Sequence, residues 1–341
     1  MRDLGTLDKT DLAIFSAVER APRAPWAALA ALIQIDAGTA ARRWARLENE
    51  GLAWVSCYPL ISQNQISAGI EVWCVAGAAR EIANTIAHDP QATSVDLMAG
   101  SCDILISVIA ESHQALSDYV LERLNGLPGV TDVRAHPIIA VHSEGGFSAA
   151  DGLSPQIAAR LPARVPGFAP GPARDNDDID WQICVALNED GRRPFSELAT
   201  IIQISEASVR RRMTRLIESG ALRMMVGLAS DAAPLPASVW YRMRVAPKEL
   251  PAVAQSIGSH PNVRAAVSLA GPDNLIVKAA FKHLSNMGAF EAQLNHDHPM
   301  LEIADRNVIL RAARLRGRVL DAYGYAIEVA PIDIRVPASA G

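Results

Sequence analysis

Two clusters of arginine are the first residues whose type and spacing suggest chemistry. In "IIQISEASVRRRMTRLIESG" (Ile201 to Gly220), Arg210, Arg211, Arg212 and Arg215 share a segment with Ser205, Ser208 and Thr214. A guanidinium presents a planar fork of N–H donors that fits a phosphate or the major-groove edge of a guanine. Much earlier, "IQIDAGTAARRWARLENEG" (Ile33 to Gly51) repeats the pattern with Thr39, Arg42, Arg43 and Arg46. The first cluster is electrically balanced, its three arginines met by Asp36, Glu48 and Glu50. The second sets four arginines against only Glu206 and Glu218. Phosphate contacts supply much of the affinity for a nucleic acid, so the second segment is expected to bind more tightly than the first. The competing reading is a solvated basic face, with Arg210 satisfied by Glu206 four residues before it.

Two glycine-containing turns are the next candidates. "AGSCD" offers Gly100, Ser101 and Asp103, and "AGPDN" offers Gly271, Asp273 and Asn274. Backbone N–H groups in such a turn can hold a carboxylate, and Asp103 can receive an ammonium group. The plain alternative is a hairpin turn whose glycine serves backbone geometry and whose Asp caps it. His296 and His298 in "NHDHP" have the spacing of a metal or acid–base pair, but two exposed loop histidines are the commoner case. Cys57, Cys74, Cys102 and Cys184 form no C-x-x-C pair. Reduced, buried thiols are expected, with no metal, no cofactor and no catalytic residue.

The elements that must carry these residues are duplicated. Shifting the sequence by 169 positions lays Ile33-Gln34-Ile35 on Ile202-Gln203-Ile204, Asp11 on Asp180 and Arg42-Arg43 on Arg211-Arg212. The same shift lays Arg46-Leu47 on Arg215-Leu216 and Gly51 on Gly220. The period is too long for a solenoid, so the chain is two copies of one module. In the second copy, Ile179, Ile183, Ala186 and Leu187 recur at helical spacing behind Asp178 or Asp180 as a cap. "FSELATII" reads as a second short helix. Ser205 caps a third, in which Val209, Met213 and Leu216 form an apolar stripe. Three short helices with a tight turn before the last make a helix-turn-helix, and "LRMMVGLA" after them reads as a wing or a strand. The rest of each copy runs strand, helix, strand, strand, helix, strand, the order of a ferredoxin-like βαββαβ unit. A tail, "RAARLRGRVLDAYGYAIEVAPIDI", has no counterpart in the first copy. Its arginines are expected on a charged edge strand or, less readily, on phosphate.

The fold class expected is therefore α+β, with two winged helix-turn-helix domains and two ferredoxin-like βαββαβ domains. Their bounds are 1–60 and 177–230 for the helical domains, and 61–142 and 231–341 for the ferredoxin-like ones. A Gly/Pro/Ala-rich linker at 143–176 separates the copies. The 341 residues carry a net charge of −5, which excludes a uniformly basic binder but not a local basic patch. "MRDLGTLDKTD" is not a basic start leading into an apolar run, and no long apolar stretch follows. A cytoplasmic protein with no membrane association is expected.

The opening "LDKTDLAIF", the helix-turn-helix ending in "RLENEG", and a βαββαβ unit with its "AGSCD" turn resemble the Lrp/AsnC (feast/famine) transcriptional regulators. Both halves carry the resemblance, and only the linker and tail fall outside it. It implies double-stranded DNA as partner, read through Ser205, Ser208, Arg210, Arg211, Thr214 and Arg215, with Thr39, Arg42 and Arg46 as the weaker set. It also implies a small effector, usually an amino acid, at the "AGSCD" and "AGPDN" turns, and a homo-oligomer. Asn274 stands where the family has Asp, which puts an ammonium contact there in question. Siroheme decarboxylases resemble the same layout and give an enzymatic alternative. However, the hairpins "GSCDILISVI" and "GPDNLIVKAA" have neither the His nor the Tyr expected of them. A third reading is a ligand sensor whose DNA binding has decayed.

Overall fold

The computed structural model of the protein describes residues 7–59, 64–145, 176–229 and 233–336, so most of the expected linker lies outside the described residues. Each copy opens with three helices: α1 (Lys9–Arg20), α2 (Trp26–Ile33) and α3 (Ala37–Asn49), then α6 (Asp178–Glu189), α7 (Phe195–Ile202) and α8 (Glu206–Glu218). A capping box starts each first helix, Asp8 with Asp11 and Asp177 with Asp180. The cap is thus Asp177, not Asp178 or Asp180 as the spacing suggested; Asp180 is the reciprocal partner one turn in. Gln34 and Gln203 both take left-handed backbone at φ 59°, which makes the tight turn into the third helix. Asp36 and Ser205 then cap α3 and α8 by accepting from the N–H of Thr39 and Ser208. Phe15, Leu29, Trp44 and Leu47 fill the first helical core, and Ile183, Leu198, Val209, Met213 and Leu216 the second.

The strands that follow the helices, β1 (Ala53–Pro59) and β6 (Leu222–Leu228), do not fold back as separate wings. They pair with each other, antiparallel, as a two-stranded ribbon between the helical domains. The 169-residue shift maps this ladder onto itself, Ala53↔Leu228 onto Pro59↔Leu222, with Ser56 opposite its own equivalent Met225 at the centre. The ribbon therefore lies across a pseudo-two-fold axis. Gly227 is required here, because a Cβ would lie 2.1 Å from Cε2 of Trp54 on the facing strand.

The first ferredoxin-like unit comprises β2 (Ile66–Cys74), α4 (Ala79–Ile86), β3 (Ala92–Ala99), β4 (Ile104–Ala110), α5 (His113–Asp118) and β5 (Val130–Glu144). The second comprises β7 (Ala237–Arg244), α9 (Leu250–Gly258), β8 (Val263–Leu269), β9 (Leu275–Phe281), α10 (Met287–Asp297) and β10 (Glu302–Leu315). Side chains alternate by face as strand geometry demands. Val239, Tyr241 and Met243 pack in the helix-covered core, while Trp240 packs with Met98 and Leu105 of the other unit. The last strand of each unit is long, 15 residues in β5 and 14 in β10, and serves both sheets. β5 pairs with β2 and β8, and β10 with β7 and β3. The order β10-β3-β4-β2-β5-β8-β9-β7 closes on itself through β7–β10 into a barrel. Two modules of one chain thus pair within that chain.

The tail's arginines turn inward instead of lying on a charged edge strand. After β10 the chain forms β11 (Arg318–Leu320) and β12 (Ala326–Val329) and then crosses to the second helical domain, where Ile332 and Ile334 join the core. Arg314, fully buried, donates to the carbonyls of Ala87 (2.7 Å), Asp89 (3.0 Å) and Ala330 (2.8 Å), and burial pushes its pKa down to about 10. Arg318 donates to Asn188 and Glu189, Arg316 to Val226, and Arg311 to Leu320. All four hold backbone carbonyls, with Arg314 and Arg318 buried and Arg311 and Arg316 half-buried. The tail also reaches the first helical domain, where Ala326 N–H donates to Gly51. His296 is exposed in the last turn of α10, and His298 follows the helix as its C-cap, where it contacts Ser256 (3.1 Å).

Candidate nucleic-acid interface and ligand cleft

On α8 the buried stripe of Val209, Met213 and Leu216 turns Glu206, Ala207, Arg210, Arg211 and Thr214 to solvent. The stretch is a contiguous helical face, short at its start and basic in its middle, as groove entry requires. Arg210 is paired with Glu206 (Nε–Oε1 3.1 Å) and lies 4.1 Å over the Phe195 ring of α7, which holds its guanidinium at the surface. Arg211 makes no hydrogen bond or ion pair among the described residues. Ser205 and Ser208 join each other (3.0 Å) in the cap.

The other arginines point back into the domain. Arg212 bridges Asp177 and Asp180 (2.8 Å to each), and Arg215 also binds Asp180, a carboxylate with no exposure. The first copy repeats this: Arg43 bridges Asp8 (2.6 Å) and Asp11 (3.0 Å), and Arg46 binds Asp11 (2.7 Å) and Glu50. The hydrogen bond from Arg43 holds Asp8 below its usual carboxylate range. Two arginines in each copy therefore brace the third helix against the start of the first. Arg46 and Arg215 stand at the flank of the outward-facing surface of the third helix rather than on it. On α3 that surface keeps one outward arginine, Arg42, bonded to Thr39 (3.0 Å), among Gly38, Ala41 and Ala45.

The two turns converge on one cleft at an end of the barrel. Ser101 and Asp273 line it together with Trp73, Asp132, Arg134, Arg242 and Asp305 around a volume of about 560 Å³. Gly100 (φ 153°) is required: a Cβ would meet Oδ1 of Asn307 at 1.9 Å, the same oxygen that accepts the Ser101 N–H at 2.7 Å. Asp103 accepts the N–H of Cys74 (2.8 Å), and Asn274 bonds both the N–H (3.0 Å) and carbonyl (2.9 Å) of Val245. A shift of 171 maps one arrangement onto the other. Both side chains tie the hairpin to the end of the neighbouring strand, and Asn keeps the acceptor that role needs. Gly271 stands nearest His136 across the interface. The acids that face the cleft are Asp132, Asp273 and Asp305, with Arg134 over the Trp73 ring (4.6 Å) and Arg242 between Asp273 (2.9 Å) and Glu71 (2.5 Å). Sequence reasoning missed Arg134, Arg242, Asp132 and Asp305. The available signal was Glu71 opposite Arg242 at equivalent positions of the two copies.

All four cysteines are free, with Cys57, Cys102 and Cys184 buried. Among the described residues no cluster of three metal-ligating side chains occurs, and no helix is long and apolar enough to cross a membrane.

The paired helix-turn-helix units on a shared ribbon, above a barrel of two ferredoxin-like units, define a class, and sequence comparison agrees with it. The AsnC-type helix-turn-helix domain matches residues 7–48 and again 177–217, and the Lrp/AsnC ligand binding domain matches 67–146. The chain belongs to the Lrp/AsnC family, in a tandem form. It is 29% identical over 153 residues to the HTH-type transcriptional regulator AldR of Mycolicibacterium smegmatis, covering 42% of this chain and 86% of that protein. An uncharacterised HTH-type transcriptional regulator of Pyrococcus horikoshii is 26% identical over 115 residues, 33% of this chain and 73% of its own. In fold, the siroheme decarboxylase NirDL superimposes over 93% of this chain and 94% of its own, with a TM-score of 0.57 at 14% identity.

Proposed function

We propose that the protein is a DNA-binding transcriptional regulator, not an enzyme, which acts as a single-chain pseudo-dimer and responds to a small zwitterionic effector. The observation that carries this reading is the α8 face, where Arg210 and Arg211 project outward on a helix capped and packed as a recognition helix. Arg211 is free to meet a base edge or phosphate, and Thr214 adds a hydroxyl one turn on. α3, with Arg42 alone, contributes the weaker half-site. The cleft lined by Arg134, Arg242, Asp132, Asp273 and Asp305 supplies cations for a carboxylate and acids for an ammonium group, with Trp73 as an apolar wall. That chemistry suits an amino acid. Oligomerisation beyond one chain would use the exposed Ile139 and Leu310, which are equivalent positions on the outer faces of β5 and β10. Footprinting of genomic fragments by the full chain, with and without each common amino acid, tests the reading. It expects discrete protected sites whose occupancy changes with one amino acid; no protection at low salt would refute it.

A tetrapyrrole decarboxylase is the second reading, favoured by the fold likeness along nearly the whole chain. A cavity between ribbon and barrel, of about 210 Å³, is small for a tetrapyrrole, and its lining includes Tyr58 but no histidine. Adding siroheme and following its absorption spectrum and carboxylate content separates the two: a bound chromophore losing CO2 would support the enzyme.

A further inference from the structure

We propose that the cavity between the ribbon and the barrel is a second small-molecule site, and that its ligand is an amino- or hydroxy-dicarboxylate. This inference goes beyond the regulator reading and does not depend on DNA binding. The cavity lies inside the barrel mouth that faces the helical domains. Met98, Leu105, Val267 and Ile276 pack together as an apolar plug, and strand alternation sets that plug between this cavity and the cleft at the other end. On β7, for example, Ser238 and Trp240 face the cavity and Arg242 the cleft.

Two features point to the ligand. The first is charge: among the described residues Arg264, Lys278, Arg311 and Arg316 line the cavity against Asp96 and Glu144, so an anion is favoured there. The second is a pair of unmet buried groups. Oδ2 of Asp96 accepts from Nε1 of Trp240 (3.0 Å) and Nζ of Lys278 (3.0 Å), but Oδ1 is buried with no hydrogen-bond partner among the described residues, and the residue is 1% exposed. Nε of Arg311 is also buried without a partner among the described residues. Buried polar atoms left unpaired are rare in folded proteins. A ligand with carboxylates for the cations and an ammonium or hydroxyl for Oδ1 of Asp96 satisfies both. Tyr58 of β1 lines the same cavity, and Arg316 bonds the carbonyl of Val226 on β6, so an occupant would touch the ribbon between the helical domains.

The test is calorimetry on the full chain with L-glutamate, L-malate and succinate, the last having two carboxylates and no donor. The proposal expects glutamate or malate to bind one molecule per chain at this site, and succinate to bind about tenfold more weakly. Ser238→Phe fills the space and leaves every charge in place; Arg311→Met removes one cation. Each is expected to weaken malate binding by about tenfold or more, while Arg134→Ala leaves it unchanged, because malate brings no ammonium group to the acids of the other cleft. Circular dichroism checks folding, and if Ser238→Phe does not fold, Arg311→Met decides alone. No binding of any of the three probes by the wild type, or binding that survives Arg311→Met, or binding lost only in Arg134→Ala, would overturn it.

Discussion

Arg212 and Arg211 are neighbours with opposite duties, and the difference comes from the carboxylates around them. Asp180 is fully buried and needs a cation, and Arg212 and Arg215 provide it, whereas Arg211 has no such neighbour. Breaking a buried pair leaves a desolvated charge behind. Arg212→Ala is therefore expected to lower stability by about 1–3 kcal/mol, with Arg215 still in place. Arg211→Ala should change it by less than about 0.5 kcal/mol. Urea denaturation of the two variants checks this; equal stabilities would contradict the assignment. Sequence spacing could not divide the arginines this way, because it shows which side chains share a face and not which acid reaches them. The same shift that aligned Arg43 with Arg212 also aligned Asp11 with Asp180, and that coincidence was the only trace of the brace.

Strand exchange is where the elements depart most from a sequence reading. The order of strands and helices was legible in each copy, because alternation and helical spacing are local. The destination of β5 and β10 was not, since one strand length serves two sheets only when both are present. The ribbon was ambiguous for the same reason: its partner is 169 positions away. On β5, His142 contacts Ser268 Oγ of β8 across the module boundary (2.5 Å), and burial lowers the pKa of this imidazole. A base whose folded pKa lies below its unfolded value is neutral in both states above about pH 6.5. Below that the unfolded chain binds the proton first, so stability falls as pH drops. Lowering the pH from about 7.5 to about 5.5 should lower Tm, and His142→Gln should remove part of that dependence. A Tm difference between the two proteins that does not change with pH would speak against it.

At the scale of the molecule, duplication let the two copies become complementary. Glu71 and Arg242 are equivalent positions, and they face each other at 2.5 Å. Asp96 of the first copy likewise meets Lys278 of the second. A pair of identical first modules would set Glu71 against its own twin, and a pair of second modules Arg242 against its own. Glu71→Arg should therefore destabilise the barrel by about 3 kcal/mol or more, and adding Arg242→Glu should recover a substantial part. A double variant no more stable than the single would show that the pair does not choose the partner. The same divergence reached the helical domains, where the outward arginines are two on α8 and one on α3.

That asymmetry is what the account rests on, and the salt dependence of binding to a footprinted genomic fragment measures it most directly. Each phosphate contact contributes about 0.9 to the slope of log K against log salt on duplex DNA. Arg210→Ala with Arg211→Ala should flatten the slope by about 2 and cost most of the affinity, while Arg42→Ala should flatten it by about 1 and cost less. A slope untouched by the first variant and collapsed by the second, or no binding by the wild type at low salt, would contradict it.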